Sequence, residues 1–266
     1  MITSVHNPLV KQLKRLGEDH KHRHKQQQML LEGTHLLEEA LNVGYPLTIV
    51  CHTASWQMKE QQLHDRLLRG NYHVELVADH VLSTIATTLH PDGVVASAPL
   101  PAPQAWEIKQ IGLALAGIQD PGNLGTILRS ACAAGCDGII VGEGCVDLTN
   151  PKILRATAGQ WFRSVWKTVP RLQDELLFWQ ERGVKIVGTS PQANLNFWQF
   201  DFSSPCLLVL GNEGRGLSSD ILEMTDVCLS IPIDRSVESL NVAMTATLLL
   251  FEAKRQRMGG KPFDPY

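Results

Sequence analysis

Three prolines in five positions, Pro99, Pro101 and Pro103, interrupt the chain within the stretch APLPAPQ at 98–104. Proline fixes its φ angle and donates no backbone hydrogen bond. Such a stretch cannot run through a helix or a central strand, and it favours an extended, semi-stiff spacer. It cuts the 266 residues into pieces of about 98 and 160 residues, both ordinary domain sizes. The expected organisation is a first domain over 1–98, a linker over 99–109, a second domain over 110–259 and a frayed, flexible tail over 260–266.

Both pieces alternate helical and strand patterns. In the first, 26–42 carries Met29, Leu30, Leu36, Leu37, Ala40 and Leu41 at roughly helical spacing, with Gly44 as a stop. Strands are expected over 47–51, 73–77 and 93–97, with a second helix over 54–69. In the second piece, 112–118, 137–141, 184–189, 206–210 and 227–231 read as strands. Helices are expected there over 124–134, 152–159, 171–182 and 240–257. This order predicts an α/β fold in both domains, with helices covering a sheet.

Composition narrows the class further. With 44% hydrophobic residues, the chain can bury a sizeable core, which excludes wholesale disorder. No apolar run approaches the roughly 20 residues of a membrane-spanning helix, and the N-terminal sequence lacks the apolar core of a signal peptide. Six cysteines, at 51, 132, 136, 145, 206 and 228, include no CxxC pair. They read as reduced, mostly buried thiols of a cytoplasmic protein. The net charge of −3 argues against nucleic acid only if charge is evenly spread, and it is not. Residues 1–28 hold six basic side chains, Lys11, Lys14, Arg15, Lys21, Arg23 and Lys25, against Glu18 and Asp19.

Three loops leave strands carrying residues that a ligand would need, and in open α/β sheets ligands sit beyond the carboxyl ends of strands. The first is QDPGNLG at 119–125, with Arg129 six residues after Asn123, which reads as a helix N-cap. The second is GNEGRGLS at 211–218, directly after CLLVL; its glycines permit close backbone approach, and Glu213 and Arg215 bring both charge signs. The third runs from IPID at 231–234 to Ser239-Leu240-Asn241, at the positive end of the last helix. Taken singly, each loop has a plain structural reading as a turn or a cap. The second is neither a P-loop, since no Gly-Lys-Ser/Thr follows, nor a GxGxxG dinucleotide fingerprint.

In this order, DPGNLGxxxR, LVLGNEGRGLS and IPIDRSVESLNVAMTATLLLFEAKRQR resemble the three signature motifs of the SpoU (TrmH-like) family of SPOUT methyltransferases. The stretches ITSVHNPLVKQLKRL and LLEGTHLLEEAL resemble the family's L30e-like RNA substrate-binding domain. The resemblance implies an N-terminal L30e-like α/β domain and a C-terminal SPOUT domain with a parallel sheet and a deep trefoil knot, an exception to the general absence of knots. It implies a homodimer that transfers a methyl group from S-adenosylmethionine to a ribose 2′-hydroxyl of structured RNA, with ribosomal RNA favoured. Transfer RNA as substrate, and an RNA-binding homologue that has lost catalysis, are the alternatives.

The resemblance also carries residue roles. Asn123, Arg129, Glu213, Ser239 and Asn241 become the catalytic and substrate-orienting set. Leu210, Gly211, Asn212, Gly214, Gly216, Ile231, Ile233, Leu240 and Val242 become the cofactor-binding set. Lys11, Lys14, Arg15, Arg23, Lys25 and Arg129 become RNA contacts, with Arg155, Arg163 and Lys167 as an extension of the basic surface. The family proposal makes Arg129 a general base. A guanidinium stays protonated, with a pKa above about 12, so binding phosphate and stabilising a developing alkoxide suits it better.

Three further readings complete the expectation. His20, His22 and His24 lack the additional ligands of a metal site, and the transfer requires no metal. Trp161 and Phe162 read as packing residues rather than base-stacking ones. Residues 156–160 depart from the family's SxGA pattern at Thr157 and Gln160, Thr157 keeping the hydroxyl. Along the last helix Leu240, Ala243, Met244, Thr247, Leu248 and Phe251 form an apolar stripe, which the resemblance assigns to the dimer surface.

Overall fold

The computed structural model describes residues 1–102 and 104–260. The expected flexible tail lies, after Gly260, outside the described residues, as does Pro103 of the linker. The described residues fall into two compact units: Met1–Ala102 with Asp147–Arg163, and those of 103–146 with those of 164–266. Residues 147–163 are thus grouped with the first unit, although in sequence they lie inside the stretch read as the second domain.

The first stretch of chain forms α1 (Pro8–Glu18), α2 (His20–Gln26), β1 (Gln28–Glu32), α3 (Thr34–Asn42) and β2 (Ile49–His52). It continues with α4 (Ala54–Lys59), α5 (Gln61–Arg69), β3 (Val74–Leu76), α6 (Asp79–Ile85) and β4 (Val94–Pro99). Local chemistry starts the first helices: the Asn7 side chain accepts from the Leu9 amide before Pro8 at the first helical position, and Asp19 accepts from Lys21 and His22. The sheet order is β1-β4-β2-β3, with β4 antiparallel to both neighbours and β3 parallel to β2. Val10, Leu13 and Leu16 of α1 pack with Leu82 and Ile85 of α6 onto Leu30, Ile49 and Val95 of that sheet.

The single helix expected over 26–42 is instead a strand and a helix. Met29, Leu30 and Leu31 are all buried, and pairing with β4 (Leu30 opposite Ser97) holds them extended. A short apolar run does not distinguish strand from helix by periodicity alone, so the partner strand decides. Gly33, at φ +100°, then turns the chain into α3.

The second stretch opens with β5 (Ile111–Leu115), α7 (Pro121–Ala134) and β6 (Gly138–Val141). It then gives up α8 (Pro151–Ala156) and a 3-10 turn (Gln160–Arg163) to the first unit. Three arginine–carboxylate pairs hold this excursion. Arg23, only 3% exposed, meets Asp147 at 2.6 Å, donates to the Thr149 hydroxyl at 2.9 Å and donates to the Leu16 carbonyl at 3.0 Å. Arg155 meets the buried Glu32 at 2.7 Å, and Arg163 pairs with Glu39. Trp161 is buried, donates to the Leu148 carbonyl at 3.0 Å and packs edge-on against Tyr45, which Phe162 also touches. Both rings therefore serve packing.

The chain returns to the second unit with β7 (Trp166–Thr168), α9 (Leu172–Gln180), β8 (Lys185–Thr189), β9 (Leu195–Asn196), β10 (Cys206–Leu210), α10 (Ser219–Leu222), β11 (Val227–Ser230) and α11 (Val242–Arg257). Its seven strands are all parallel, in the order β7-β6-β5-β10-β8-β11-β9. Fully buried β5 and β10 lie side by side at the centre, and the chain leaves them in opposite directions along the sheet. Such a switch point opens a crevice beyond the carboxyl ends of the strands. Val242, Ala246, Leu249, Leu250 and Ala253 bury one face of α11, which packs on α7.

Candidate active site

The loops after β5, β10 and β11 meet where that crevice is expected. Asp120, rather than Asn123, caps α7: its Oδ1 accepts from the Asn123 amide at 2.8 Å, and Pro121 occupies the first helical position. The N-cap role assigned to Asn123 from sequence is therefore corrected. With Asp120 doing the capping, the Asn123 side chain is left to reach across the loops, donating to Glu213 Oε1 at 3.1 Å. Asn241, which does cap α11 through Oδ1, donates from Nδ2 to Asn123 Oδ1 at 2.9 Å.

Glu213 is the hub. Its oxygens also accept from the Gln119 and Asp120 amides, at 3.3 and 3.1 Å, and from Asn212 Nδ2 at 3.3 Å. Burial opposes ionisation of this carboxyl, but donation from Asn123 and the backbone amides outweighs it and holds the pKa below the usual glutamate range. Asn212 in turn shapes its own loop, donating to the Gly117 carbonyl at 2.7 Å and accepting from the Gly214 and Arg215 amides. A Cβ on Gly211 would run into the backbone of Gly216 and Leu217, so the loop closes on itself only with glycine there.

Beside this network lies a cavity of about 350 Å³, within the roughly 300–1,000 Å³ of small-molecule sites. All nine residues expected to hold the cofactor line it, from Leu210, Gly211, Asn212, Gly214 and Gly216 through Ile231 and Ile233 to Leu240 and Val242. Glu213 and Ser239 line it as well, so Glu213 joins the cavity to the Asn123–Asn241 link. Aliphatic walls with backbone groups and a carboxylate suit a folded ligand with an apolar ring and a cationic end. Arg129 stands exposed on α7, six residues beyond Asn123, with no ion pair among the described residues.

The sequence reading missed the loop after β8: Thr189, Ser190, Pro191 and Gln192 complete the cavity wall, together with Glu238 and Thr245. The available signal was positional, since this loop also leaves the carboxyl end of a parallel strand.

The expected RNA-contact set divides. Lys11, Arg15 and Lys25 are exposed and Lys14 is half-buried on α1 and α2, with only long ion pairs to Glu18 and Asp19, at 3.8 and 3.9 Å. Arg23 does not belong with them, because its guanidinium is buried against Asp147 and Thr149. The expected basic extension is corrected as well: Arg155, Arg163 and Lys167, though partly exposed, are each paired to a carboxylate, Glu32, Glu39 and Glu175. Thr157 keeps its hydroxyl but spends it on the Leu154 carbonyl, 2.7 Å away, fully buried. Among the described residues no cluster of three or more His, Cys, Asp or Glu could hold a metal.

A parallel α/β sheet with a small-molecule cavity and a polar network at its strand ends defines an enzyme of the nucleotide- or cofactor-handling class. The chain belongs to the SpoU rRNA methylase family, whose profile matches residues 110–251, while an MRM3-like substrate-binding domain matches residues 7–96. It is 45% identical to an uncharacterized tRNA/rRNA methyltransferase of Synechocystis sp., over 96% of this chain and 94% of the relative. It is 33% identical to the 23S rRNA (guanosine(2553)-2′-O)-methyltransferase RlmP of Bacillus subtilis, over 95% and 98%. The crystal structure of the SpoU methyltransferase AviRb from Streptomyces viridochromogenes in complex with AdoMet superposes with a TM-score of 0.85. That match has 30% identity and covers 96% of this chain and 100% of that one.

Proposed function

We propose that this protein transfers a methyl group from S-adenosylmethionine to a ribose 2′-hydroxyl of 23S ribosomal RNA. The observation that carries the reading is the hydrogen-bonded link Asn241–Asn123–Glu213, which ties all three motif loops together at the edge of the cavity. Bound there, S-adenosylmethionine supplies an electrophilic methyl on a positively charged sulfur. The chain's own residues position, hold charge and exclude water. The Gly211–Gly216 loop and the aliphatic side chains of Ile231, Ile233, Leu240 and Val242 hold the cofactor. Glu213 keeps a negative charge beside it. Asn123, Ser239 and Asn241 orient the target ribose, and Arg129 binds the phosphate of the reacting nucleotide and stabilises the oxygen as it loses its proton. Arg129→Ala with a near wild-type single-turnover rate would remove that role.

The same reading assigns Lys11, Lys14, Arg15 and Lys25 to RNA phosphates and places the enzyme in the cytoplasm. No described helix is long and apolar enough to cross a membrane. It includes a homodimer through the second unit. Leu240, just before α11, and Met244, Leu248 and Phe251 on it are exposed, Met244 at 56%, and an apolar strip of this kind is unusual on a free surface. It includes a deep trefoil knot in the second unit, as the resemblance implies.

The test is methyl transfer by the purified chain to unmodified 23S rRNA and to bulk tRNA, followed by mapping of 2′-O-methylated riboses. One methylated ribose in 23S rRNA is expected. Methylation of tRNA alone, or cofactor binding with no transfer to either RNA, would overturn the reading.

A further inference from the structure

The first unit contains a second cavity, of about 190 Å³, unrelated to the motif loops. Three separate stretches build it: Gly33, His35 and Leu36 at the start of α3, Thr88, His90 and Asp92 before β4, and Arg155 with Ala158 and Gly159 after α8. Its floor is the Glu32 carboxylate, 2% exposed, which accepts from the amides and hydroxyls of both Thr87 and Thr88 and from Arg155. Every acceptor position on Glu32 is taken, so this carboxylate fixes the walls and leaves recognition to the rim. The rim backbone is held in an uncommon shape, with Ala158 at φ +47° followed by Gly159 at φ +80°. A left-handed non-glycine residue is strained and persists where surrounding structure enforces it.

The rim offers two exposed imidazoles, His35 and His90, a guanidinium and a carboxylate. Asp92 uses one oxygen, Oδ2, to accept from the Thr34 amide at 3.1 Å, and Oδ1 accepts no hydrogen bond among the described residues. Between the two lining residues Thr88 and His90, Leu89 is 94% exposed. Exposed imidazoles and an open acceptor do not suit a phosphate, which would meet Asp92 and the already paired Arg155. They suit a flat heterocycle with an amino group on its edge.

We propose that this cavity receives one unpaired, amino-bearing nucleobase of the RNA substrate, stacked against His35 or His90 and donating to Asp92. Sequence-selective reading of RNA works on such splayed bases, stacked on aromatic or guanidinium planes and read along their edges. The inference rests on the RNA-methyltransferase reading above and names the part of the first unit that selects the substrate, leaving Lys11, Lys14, Arg15 and Lys25 to general phosphate attraction.

The experiment is ultraviolet cross-linking of the intact chain to unmodified bacterial 23S rRNA, with mass-spectrometric identification of the linked peptides. It is paired with affinity measurements on His35→Ala/His90→Ala and Asp92→Asn. Cross-links within 33–36, 88–92 or 155–159 are expected. The double histidine variant should lose about tenfold in RNA affinity, the scale of one lost stacked base, and Asp92→Asn should weaken binding with the salt dependence unchanged. S-adenosylmethionine affinity and the thermal midpoint of the histidine variant should stay at wild-type values, since both side chains are exposed. Cross-links confined to α1 and α2, or unchanged affinity in the histidine variant while the wild type still binds and methylates, would overturn this inference and leave the parent reading intact. Absence of rRNA binding by the wild-type chain would remove both.

Discussion

Asn241 donates from Nδ2 to Oδ1 of Asn123 at 2.9 Å, joining side chains 118 residues apart in the chain. The same Asn241 accepts through Oδ1 from the Ala243 and Met244 amides, at 2.9 and 3.4 Å, as the N-cap of α11. One side chain thus starts the last helix and fixes the first motif loop against it. Because Asn123 passes the connection on to Glu213, hydrogen bonds link the three motif loops in addition to the apolar packing of α11 on α7.

The two jobs of Asn241 are separable. Asn241→Asp keeps the capping acceptor and replaces the donor with a carboxylate oxygen facing Asn123. Its thermal midpoint should stay near wild type while single-turnover methylation falls by about tenfold to a hundredfold. Asn241→Ala should lose both, with the cap contributing about 1 kcal/mol. Full activity in the Asp variant would show that the link to Asn123 is dispensable.

On the proposed role of Glu213, cofactor binding should be acid-sensitive. Its folded pKa is depressed, so the stabilisation from its ionised form is complete above the ordinary glutamate value, about 4.3. That stabilisation is lost as pH falls through the depressed value. S-adenosylmethionine affinity by calorimetry should stay flat from neutral pH through the ordinary glutamate value and decline only as pH falls through the depressed folded value. Glu213→Gln should bind more weakly at neutral pH and lack the acid decline.

Gly211→Ala tests the loop closure. The added methyl overlaps backbone atoms of Gly216 and Leu217, which cannot move aside as a flexible side-chain end could. Cofactor affinity should fall at least tenfold with far-ultraviolet circular dichroism unchanged. Wild-type affinity would mean that the loop opens freely.

Arg23→Ala leaves Asp147, itself largely buried, without its guanidinium partner, with Thr149 and the exposed His24 still in reach. Truncating one member of a buried, hydrogen-bonded pair costs about 3–5 kcal/mol. Denaturant unfolding should show a loss of that order, with little dependence on salt. The exposed Lys14–Glu18 pair, broken by Lys14→Ala, should change stability by less than about 1 kcal/mol.

Met244→Glu combined with Leu248→Glu should convert a dimer to a monomer in sedimentation velocity, because both side chains are exposed on the apolar strip of α11. A wild-type chain that sediments as a monomer at micromolar concentration would reject the dimer.

Much of the second unit is legible from local pattern. The limits expected for the central strand at 206–210 coincide with β10, because a short apolar run bounded by turn residues and buried on both faces has few alternatives. The three motif loops follow from residue type and order, and all nine expected cofactor residues do line one cavity. The first unit is less legible. Residues 26–42 carry a helical pattern over a stretch whose first part is a strand, since the antiparallel partner β4 lies some 65 residues further along.

What the sequence determined by itself is therefore the α/β alternation and the identity of the three motifs, both encoded in neighbouring residues. The tertiary structure alone decided which charges remain available to a ligand. Arg23, Arg155, Arg163 and Lys167 look in sequence like a continuation of the basic surface. Folding brings Asp147, Glu32, Glu39 and Glu175 to within ion-pair distance of them. For Arg23, 3% exposed, the physical reason is desolvation, since a buried guanidinium is tolerated only with a carboxylate beside it; the others are paired because the fold brings a carboxylate within reach. Three of the four pairings join residues more than 100 positions apart, which no local pattern records.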